Sequence, residues 1–404
     1  MRLLLAVLLA IAGSVFAQQP DAENARRTIA AIEETLKQRP NDPTLWFYLS
    51  RFQSEAGNRE GSISALAIAA DLGEGFLPAR ELGFENVWND PKFREIRARM
   101  EQKLPRLDFA PTAIELEDKE LIPEGIAHDL HSQSFFIGSI NKRKVVRVST
   151  EHGVTTFAGP EAALDSVLGL AMDGPRRRLY VVSTSALTAE GRKNRRNAVV
   201  SFDIDTRNLV RRAEVPEAMQ LNDVAVAPGG RRVFASDSAS GAIFEIPAEG
   251  AARTLVPADQ IRGSNGLAVS PDGKLLYVAH STGLAVVDTA TGTVKRVANS
   301  TRDTVAAIDG LYEWQGQLIG VQNTTTPGRV ILVTLSSDGA TVTRVQTLLS
   351  HHHNVLDEPT TGVVTERGFF LLAATGVSHY NDAGKIERAE TLPKPAVVRI
   401  PLPR

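Results

Sequence analysis

Four side chains with oxygen donors recur along the chain, each just before a short stretch of alternating apolar residues. They are Glu124, Asn222, Asn265 and Asp309. Two carboxylates and two amide carbonyls form a donor set of oxygen alone, which suits a hard divalent cation. If the fold brings them to one point, the irregular geometry of side chains from separate segments favours Ca²⁺ over Mg²⁺ or Zn²⁺, although other divalent cations stay open. No His-Glu-x-x-His motif argues for zinc.

A repeated unit carries these four side chains. Apart from the second copy, which starts at Leu168, each copy starts with a polar or acidic residue and continues through alternating strands that are separated by Gly, Asp, Asn and Pro. The copies begin at Glu124, Leu168, Asn222, Asn265, Asp309 and Glu358. The starts lie 43 to 54 residues apart, which leaves room for about four strands in each unit. Six such units predict the blades of a β-propeller over residues 108–404. Because the first strand of each blade lines the central channel, the heads of these strands should face a common axis.

The residues before the propeller have helical periodicity. Apolar positions recur at helical spacing over residues 18–104, and Gly and Pro clusters divide the segment into helices of about a dozen residues. Residues 42–71 resemble a tetratricopeptide repeat, with Trp46, Leu49 and Gly57 near packing positions of that family. Only one or two repeats fit, whereas about three are usually needed for independent stability. The segment is therefore either a helical cap on the propeller or a surface that binds a protein partner.

Residues 1–17 have the pattern of a secretory signal, with Arg2 followed by an apolar run and a cleavage site after Ala17. This pattern predicts export to the periplasm or outside the cell, with no membrane span after cleavage. The chain has no cysteine, so neither a lipid anchor on cysteine nor a disulfide is available. A formal charge of −2 gives no field that would attract nucleic acid, and no nucleic-acid partner is expected.

Four short motifs together carry a family resemblance. In chain order they are PEGIAHD from Pro123, LNDVAV from Leu221, SNGLAVSPDGKLLYVAH from Ser264, and IDGLYE from Ile308. Over nearly all of residues 108–404 the chain resembles the regucalcin and gluconolactonase family, and more distantly the paraoxonases. The resemblance implies a calcium-dependent lactonase or esterase that acts on a small lactone or ester.

The same resemblance implies roles for individual residues. Glu124, Asn222, Asn265 and Asp309 would hold the metal, and Asp309 would also be the general base. Asp223 matches a paraoxonase carboxylate that belongs to a second, structural calcium. Gly310 departs from the paraoxonase pattern, which has a further amide ligand there, and the substrate-contacting arginine of gluconolactonases has no clear counterpart.

Other candidate residues lie near the heads of the blades. Glu358 could join the metal site or start a turn, and His128 lies four residues beyond Glu124 on the same face of an ideal strand. The run from His351 to His353 could bind a transition metal, line the channel mouth or form a loop. No Gly-x-Ser-x-Gly elbow or phosphate-binding loop is present, which excludes serine-hydrolase and nucleotide-dependent chemistry.

Two functions fit these observations. The first is an exported calcium-dependent hydrolase of the gluconolactonase type. The alternative is a non-catalytic propeller in which the metal is structural or absent, and which binds a protein or a small ligand.

Overall fold

The computed structural model describes residues 22–403, with side chains from residue 24 onward. The predicted signal at residues 1–17 lies outside the described residues. Within them, no helix is both long enough and apolar enough to cross a bilayer.

Four α-helices and a short 3₁₀ helix form the N-terminal region of the described chain. They are α1 (Ala22–Gln38), α2 (Pro43–Glu55), α3 (Arg59–Leu72), the 3₁₀ helix Arg80–Leu82 and α4 (Pro91–Gln102). Asp42 caps α2 by accepting a hydrogen bond from the Thr44 amide (3.0 Å), and Asp90 caps α4 in the same way through Lys92 (2.7 Å). The predicted helical region is therefore present.

Aromatic packing holds these helices together. The Phe47 ring of α2 lies 5.0 Å from Phe76 and 5.7 Å from Phe84, and Phe84 lies 5.7 Å from Phe93 of α4. Helices α2 and α3 form a hairpin in which Ser50 Oγ donates to the Ser62 carbonyl (2.8 Å). The tetratricopeptide-like assignment of this region stays a prediction.

The remaining chain forms six sheets, which confirms the predicted six-bladed propeller. Blade 1 contains β2 (Pro123–Asp129), β3 (Ser134–Ser139), β4 (Val145–Ser149) and β5 (Gly153–Ala158). Blade 2 contains β6 (Ser166–Asp173), β7 (Arg178–Thr184), β8 (Asn197–Asp203) and β9 (Leu209–Glu214), with the short helix α5 (Ala189–Lys193) before β8. Blade 3 contains β10 (Leu221–Val226), β11 (Arg232–Asp237), β12 (Ile243–Pro247) and β13 (Arg253–Val256).

The last three blades follow in the same order. Blade 4 contains β14 (Leu267–Val269), β15 (Leu275–His280), β16 (Gly283–Asp288) and β17 (Val294–Arg296). Blade 5 contains β19 (Ile308–Trp314), β20 (Gln317–Gln322), β21 (Arg329–Leu335) and β22 (Thr341–Leu349), with β18 (Ala298–Asn299) parallel to β22. Blade 6 contains β23 (Gly362–Thr365), β24 (Gly368–Ala374) and β25 (Ala396–Ile400). Further 3₁₀ turns are Lys119–Leu121, Pro160–Ala162, Val377–His379 and Ala389–Thr391.

The first strand of the propeller closes the ring. Strand β1 (Thr112–Glu115) pairs antiparallel with β25 and so becomes the outer strand of blade 6. Because the two ends of the propeller sequence share one sheet, blade 6 cannot separate from blade 1 without breaking this pairing. The apolar faces of neighbouring sheets pack into clusters between blades, such as the one that contains Phe136, Phe157 and Phe202.

Candidate functional site

The inner strands meet at the same end of the channel through contacts between successive blades. The Gly266 amide of blade 4 donates to the Asp309 carbonyl of blade 5 (2.8 Å), and the Gly310 amide of blade 5 donates to the Thr360 carbonyl of blade 6 (3.1 Å). Blade 6 closes onto blade 1 through Thr361, whose hydroxyl donates to the Glu124 carbonyl. These contacts hold the heads of the inner strands at one end of the channel.

These contacts also show that the start predicted for the sixth blade is wrong. By the hydrogen bond from Gly310, Thr360 occupies the position in blade 6 that Asp309 occupies in blade 5. The repeat pattern in the sequence predicted Glu358 for this position, two residues too early. Glu358 Oε2 instead accepts a hydrogen bond from the Ser378 amide (3.0 Å). The prediction was wrong because the Asp and Pro residues in the turn before β23 resemble the residues that start a blade.

Close backbone approach explains the glycine that follows several of the heads. A Cβ on Gly125 would lie 2.1 Å from the Leu168 carbonyl oxygen of blade 2, and a Cβ on Gly266 would lie 2.3 Å from the Asp309 carbonyl oxygen. These positions therefore exclude any side chain. In blade 3 the corresponding residue is Asp223, whose Oδ2 accepts from the Leu267 amide of blade 4 (2.9 Å).

Asp309 is held by amide side chains from two directions. Its Oδ1 accepts from Asn265 Nδ2 (2.8 Å), and its Oδ2 accepts from Asn323 Nδ2 (2.6 Å). Asn323 also donates to the Pro359 carbonyl (3.0 Å), which ties it to blade 6. Asp309 is only 8% exposed, and burial raises its pKa to about 6 although both amide hydrogen bonds lower it.

Glu124 is buried beside Asp309, and one of its carboxylate oxygens is unsatisfied. Glu124 Oε2 has no hydrogen-bond partner among the described residues. Burial, followed by the negative charges of Asp309 and Asp223, raises the pKa of Glu124 well above its usual range. An unpaired oxygen on a buried carboxylate is costly, and a ligand that accepts its lone pairs would remove that cost.

Asp223 and Tyr312 complete the surroundings of the two carboxylates. Burial, with a smaller contribution from Asp309, raises the pKa of Asp223 to about 7. The Tyr312 hydroxyl accepts from the Gly362 amide (2.8 Å). Burial, together with the charges of Asp223, Glu124 and Asp309, raises the Tyr312 pKa well above its usual value. Three buried carboxylates therefore share one region of the channel.

The other residues predicted for the site lie in different surroundings. Asn222 heads the third inner strand, but its Nδ2 donates to Ser238 Oγ (2.7 Å). His128 packs against Phe135 with ring centroids 4.6 Å apart. Four residues of strand place His128 roughly 13 Å from Glu124. The structure thus brings Glu124, Asn265 and Asp309 together, while His128 lies outside that group.

Asn323 was missed by the sequence analysis. It follows β20, the second strand of blade 5, whereas only the heads of inner strands were searched for oxygen donors. The antiparallel pairing of Ile308 with Gln322 brings the end of β20 beside the head of β19. The signal in the sequence is the Gln-Asn pair that ends this strand.

The residues present fit a divalent cation. Within residues 22–403, no lysine or arginine forms an ion pair with Glu124, Asp223 or Asp309, although all three are buried. Such a group of carboxylates is stable at neutral pH only with protons or a cation among them. The donors around Asp309 and the unsatisfied Glu124 Oε2 are oxygen atoms or amides that can turn an oxygen inward, which is the set that Ca²⁺ prefers.

The helical region packs on the same end of the propeller. The loop after β20 lies beside the head of β19, and there the Leu77 amide donates to the Thr325 carbonyl (2.8 Å). The Tyr48 hydroxyl of α2 donates to the Ser281 carbonyl (3.0 Å) in the turn that follows β15. The Thr304 amide, just before β19, donates to the Glu74 carbonyl (3.0 Å). The helices therefore cover blades 4 and 5 on the face where Asp309 lies.

Solved structures that resemble the chain include the following three. Regucalcin from Agrobacterium tumefaciens, a calcium-binding protein, is 16% identical with a TM-score of 0.50, covering 74% of this chain and 95% of its own. A gluconolactonase from Xanthomonas campestris is 17% identical with a TM-score of 0.48, covering 74% and 91%. Virginiamycin B lyase from Staphylococcus aureus is 12% identical with a TM-score of 0.47, covering 68% and 86%. At such identities the likeness to regucalcin supports the propeller fold alone.

The sequence itself matches a known family. Residues 122–319 match the family described as the SMP-30/Gluconolactonase/LRE-like region, a span that begins beside Glu124 and ends beyond Asp309. No curated protein sequence matches the chain. The four predicted metal ligands at inner-strand heads, Glu124, Asn222, Asn265 and Asp309, all lie inside the matched span, in the order that the resemblance required. Residues 122–319 of the propeller are therefore similar to the SMP-30/Gluconolactonase/LRE-like family.

Proposed function

We propose that the protein is an exported, calcium-dependent hydrolase that opens a small lactone or cleaves a small ester at the channel mouth. The observation that carries the proposal is the pairing of two buried carboxylates with different surroundings. Asp309 is fixed by Asn265 and Asn323, whereas Glu124 Oε2 beside it has no hydrogen-bond partner within residues 22–403. The family match supports a lactonase-type reaction on this scaffold.

The side chains of the site fit a cation-assisted hydrolysis. A bound divalent cation supplies polarisation of a carbonyl group and a lower pKa for nearby water. Glu124 and Asp309 would hold this cation, and Asn265 would add an amide oxygen. Asn222 would add another, since its hydrogen bond to Ser238 Oγ uses Nδ2 and leaves Oδ1 available. Each oxygen of Asp309 accepts one amide hydrogen bond and retains a second lone pair, so the carboxylate can still accept a proton.

Asp309 would act as the general base. A water oxygen attacks the carbonyl carbon while Asp309 accepts one of the water protons. The bond from the carbonyl carbon to the ring or ester oxygen then breaks, and the proton passes to the leaving oxygen. The product is a hydroxy acid from a lactone, or an acid and an alcohol from an ester. Asn265 and Asn323 fix the carboxylate in the orientation that this transfer needs.

The test is a substrate screen with a matched pair of variants. Purified protein is assayed on lactones and aryl esters with calcium and with chelator, as wild type, Asp309→Asn and Asp338→Asn. Asp338 lies in the turn between β21 and β22 of the same blade, at the opposite end from Asp309. We expect calcium-dependent turnover that Asp309→Asn lowers at least 100-fold, and that Asp338→Asn retains.

The outcomes separate the hydrolase from the alternative. Turnover that survives in Asp309→Asn would remove that residue from the reaction. A calcium effect on stability without turnover of any substrate would instead favour a propeller that binds a partner. The packing of the helical region on the face of the site is the observation that favours this second function.

A further inference from the structure

A second group of metal-binding side chains lies away from the channel, where the helical region meets the propeller. Glu101 stands in the last turn of α4, and His351 and His352 follow β22 in the loop to blade 6. One ligand atom from each of the three residues can be chosen so that all lie within 4.8 Å of one another. Residues far apart in sequence therefore converge here.

The third histidine of the run, His353, has a hydrogen-bond partner on each ring nitrogen. His353 Nε2 bonds with the Ala110 carbonyl (2.8 Å), and its Nδ1 accepts from the Val355 amide (3.2 Å). It is 6% exposed. His351 and His352 point elsewhere, with ring centroids 4.0 Å apart. The run thus divides into one structural histidine and two that can take a ligand.

Neighbouring groups orient the three side chains. His352 Nδ1 bonds with Ser350 Oγ (2.9 Å), which fixes the ring and leaves Nε2 for a ligand. Glu101 Oε2 pairs with Arg97 Nη1 (2.9 Å), while Oε1 lies 3.4 Å from His351 Nε2. The Arg97 charge opposes a cation, but its hydrogen bond goes to Oε2 and not to the oxygen beside His351 Nε2.

The donor atoms of Glu101, His351 and His352 favour a different metal ion from the one that suits the channel site. Two imidazoles and one carboxylate suit Zn²⁺ and similar transition-metal ions, whereas Ca²⁺ requires oxygen ligands. His351 is 13% and Glu101 38% exposed in their side chains, so an ion from solution can reach them.

We propose that Glu101, His351 and His352 form a transition-metal site that binds Zn²⁺ and joins α4 to the loop between blades 5 and 6. The site is independent of Asp309 and of the hydrolase function. Since the ligands come from both regions of the chain, metal binding would fasten the helical region to the propeller.

Cobalt provides a spectroscopic test. Metal-stripped full-length protein is titrated with Co²⁺, whose visible d–d bands report its coordination by the protein, and Zn²⁺ is then added to displace it. Wild type should bind one equivalent at this site and gain thermal stability with Zn²⁺. Glu101→Gln and His352→Ala should each weaken binding at least tenfold and lose the stability gain. The titrations are repeated with Asp309→Asn in each background to remove metal bound in the channel.

His152→Ala is the matched control, because His152 is exposed and lies 3.6 Å from Glu151 in blade 1. Circular dichroism and metal-free melting establish that each variant is folded, and Glu101→Gln keeps the shape of the side chain if His352→Ala does not fold. Binding that Glu101→Gln weakens no more than His152→Ala does would overturn the site. Absence of any Co²⁺ bands in the wild type would do the same.

Discussion

The unsatisfied oxygen of Glu124 is the residue-scale feature on which the channel chemistry depends. A buried carboxylate usually has a donor for each oxygen, and Asp309 follows that rule through Asn265 and Asn323. Glu124 Oε2 has no such donor in the part of the chain that the structure describes. A site that keeps one carboxylate in place and leaves another unpaired can take a cation between them.

Replacing Glu124 tests this difference without any substrate. In calcium-free protein at pH 8, Glu124→Gln should raise the free energy of unfolding by roughly 1–2 kcal/mol, because it removes an unpaired buried charge beside Asp223 and Asp309. Urea unfolding measures the change. Glu366→Gln, in the exposed turn between β23 and β24, serves as the control. If Glu124→Gln were no more stable than the wild type, the unpaired Glu124 carboxylate would not destabilise the calcium-free protein.

Asn323 provides a second residue-scale prediction. Asn323→Ala removes the hydrogen bonds to Asp309 Oδ2 and to the Pro359 carbonyl, so the carboxylate loses its fixed orientation. We expect calcium affinity or turnover to fall about 10- to 100-fold. Calorimetry and initial rates check this. Asn299→Ala, in β18 at the edge of blade 5, should change neither quantity.

At this scale the sequence located the inner-strand heads but not their partners. Glu124, Asn265 and Asp309 could be found because each heads a repeat, and a repeat is visible in a linear sequence. Asn323 could not be found in that way, since its role depends on which strand end lies beside Asp309 in the sheet. The direction of the Asn222 side chain toward Ser238 is likewise a matter of loop packing.

At the level of the β-strands, glycines at the heads of the inner strands determine the geometry of the site. They allow the backbone of one blade to touch the next, which sets the radius of the channel and hence the separation of the ligands. Gly266 shows this most clearly, because its amide donates to the Asp309 carbonyl and its Cβ position is blocked.

Adding a single methyl group at Gly266 should therefore disturb both fold and site. In Gly266→Ala the new Cβ would lie 2.3 Å from the Asp309 carbonyl oxygen and 2.4 Å from the Leu311 amide nitrogen. We expect a loss of about 1–3 kcal/mol in the free energy of unfolding, measured with urea. Gly174→Ala is the control, since no atom lies within 4 Å of its Cβ position. Equal stability of the two variants would contradict the close approach.

The blade count followed from the sequence, whereas the closure of the ring did not. Six repeats predicted six blades because each blade pairs mainly with itself. The pairing of β1 with β25 joins segments almost 300 residues apart and leaves no local pattern. The two-residue error at Glu358 has a similar origin, because the register of blade 6 is set by contacts with Gly310 and Glu124 rather than by its own turn.

At the scale of the whole molecule, ion pairs between blades help to hold the ring. Asp129 of blade 1 is buried and accepts from Arg177 Nη1 at the edge of blade 2 (2.5 Å). Burial alone would raise the pKa of Asp129, but hydrogen bonds from Arg177 and Ser132 outweigh it and lower the pKa to about 2. Because the folded pKa is depressed, the resulting stability is present above about pH 4 and is lost as the pH falls through about 2.

Arg177→Gln should reveal this contribution. We expect it to lower the free energy of unfolding at pH 7 by roughly 1–3 kcal/mol, and the difference from wild type should shrink between pH 4 and pH 2. Urea unfolding at pH 7, 4 and 2.5 measures it, with Arg195→Gln in the exposed loop of blade 2 as the control. A difference that stays constant across this range would exclude Asp129 as its source.

The helical region also acts at this scale. Its contacts with Thr325 and Ser281 place it on the face that holds Asp309, so it narrows the approach to the site from blades 4 and 5. The sequence predicted a cap or a partner-binding surface and could not choose between them, since the choice depends on which face of the propeller the helices cover.

Calcium binding to the channel, measured by calorimetry on metal-free protein, tests the central claim most directly. Wild type and Asp338→Asn should bind Ca²⁺ with the same affinity, and Asp309→Asn should bind it at least tenfold more weakly, because it removes a carboxylate that Asn265 and Asn323 hold in position. If Asp309→Asn bound Ca²⁺ as tightly as the wild type, the oxygen donors at the heads of the inner strands would not form the metal centre.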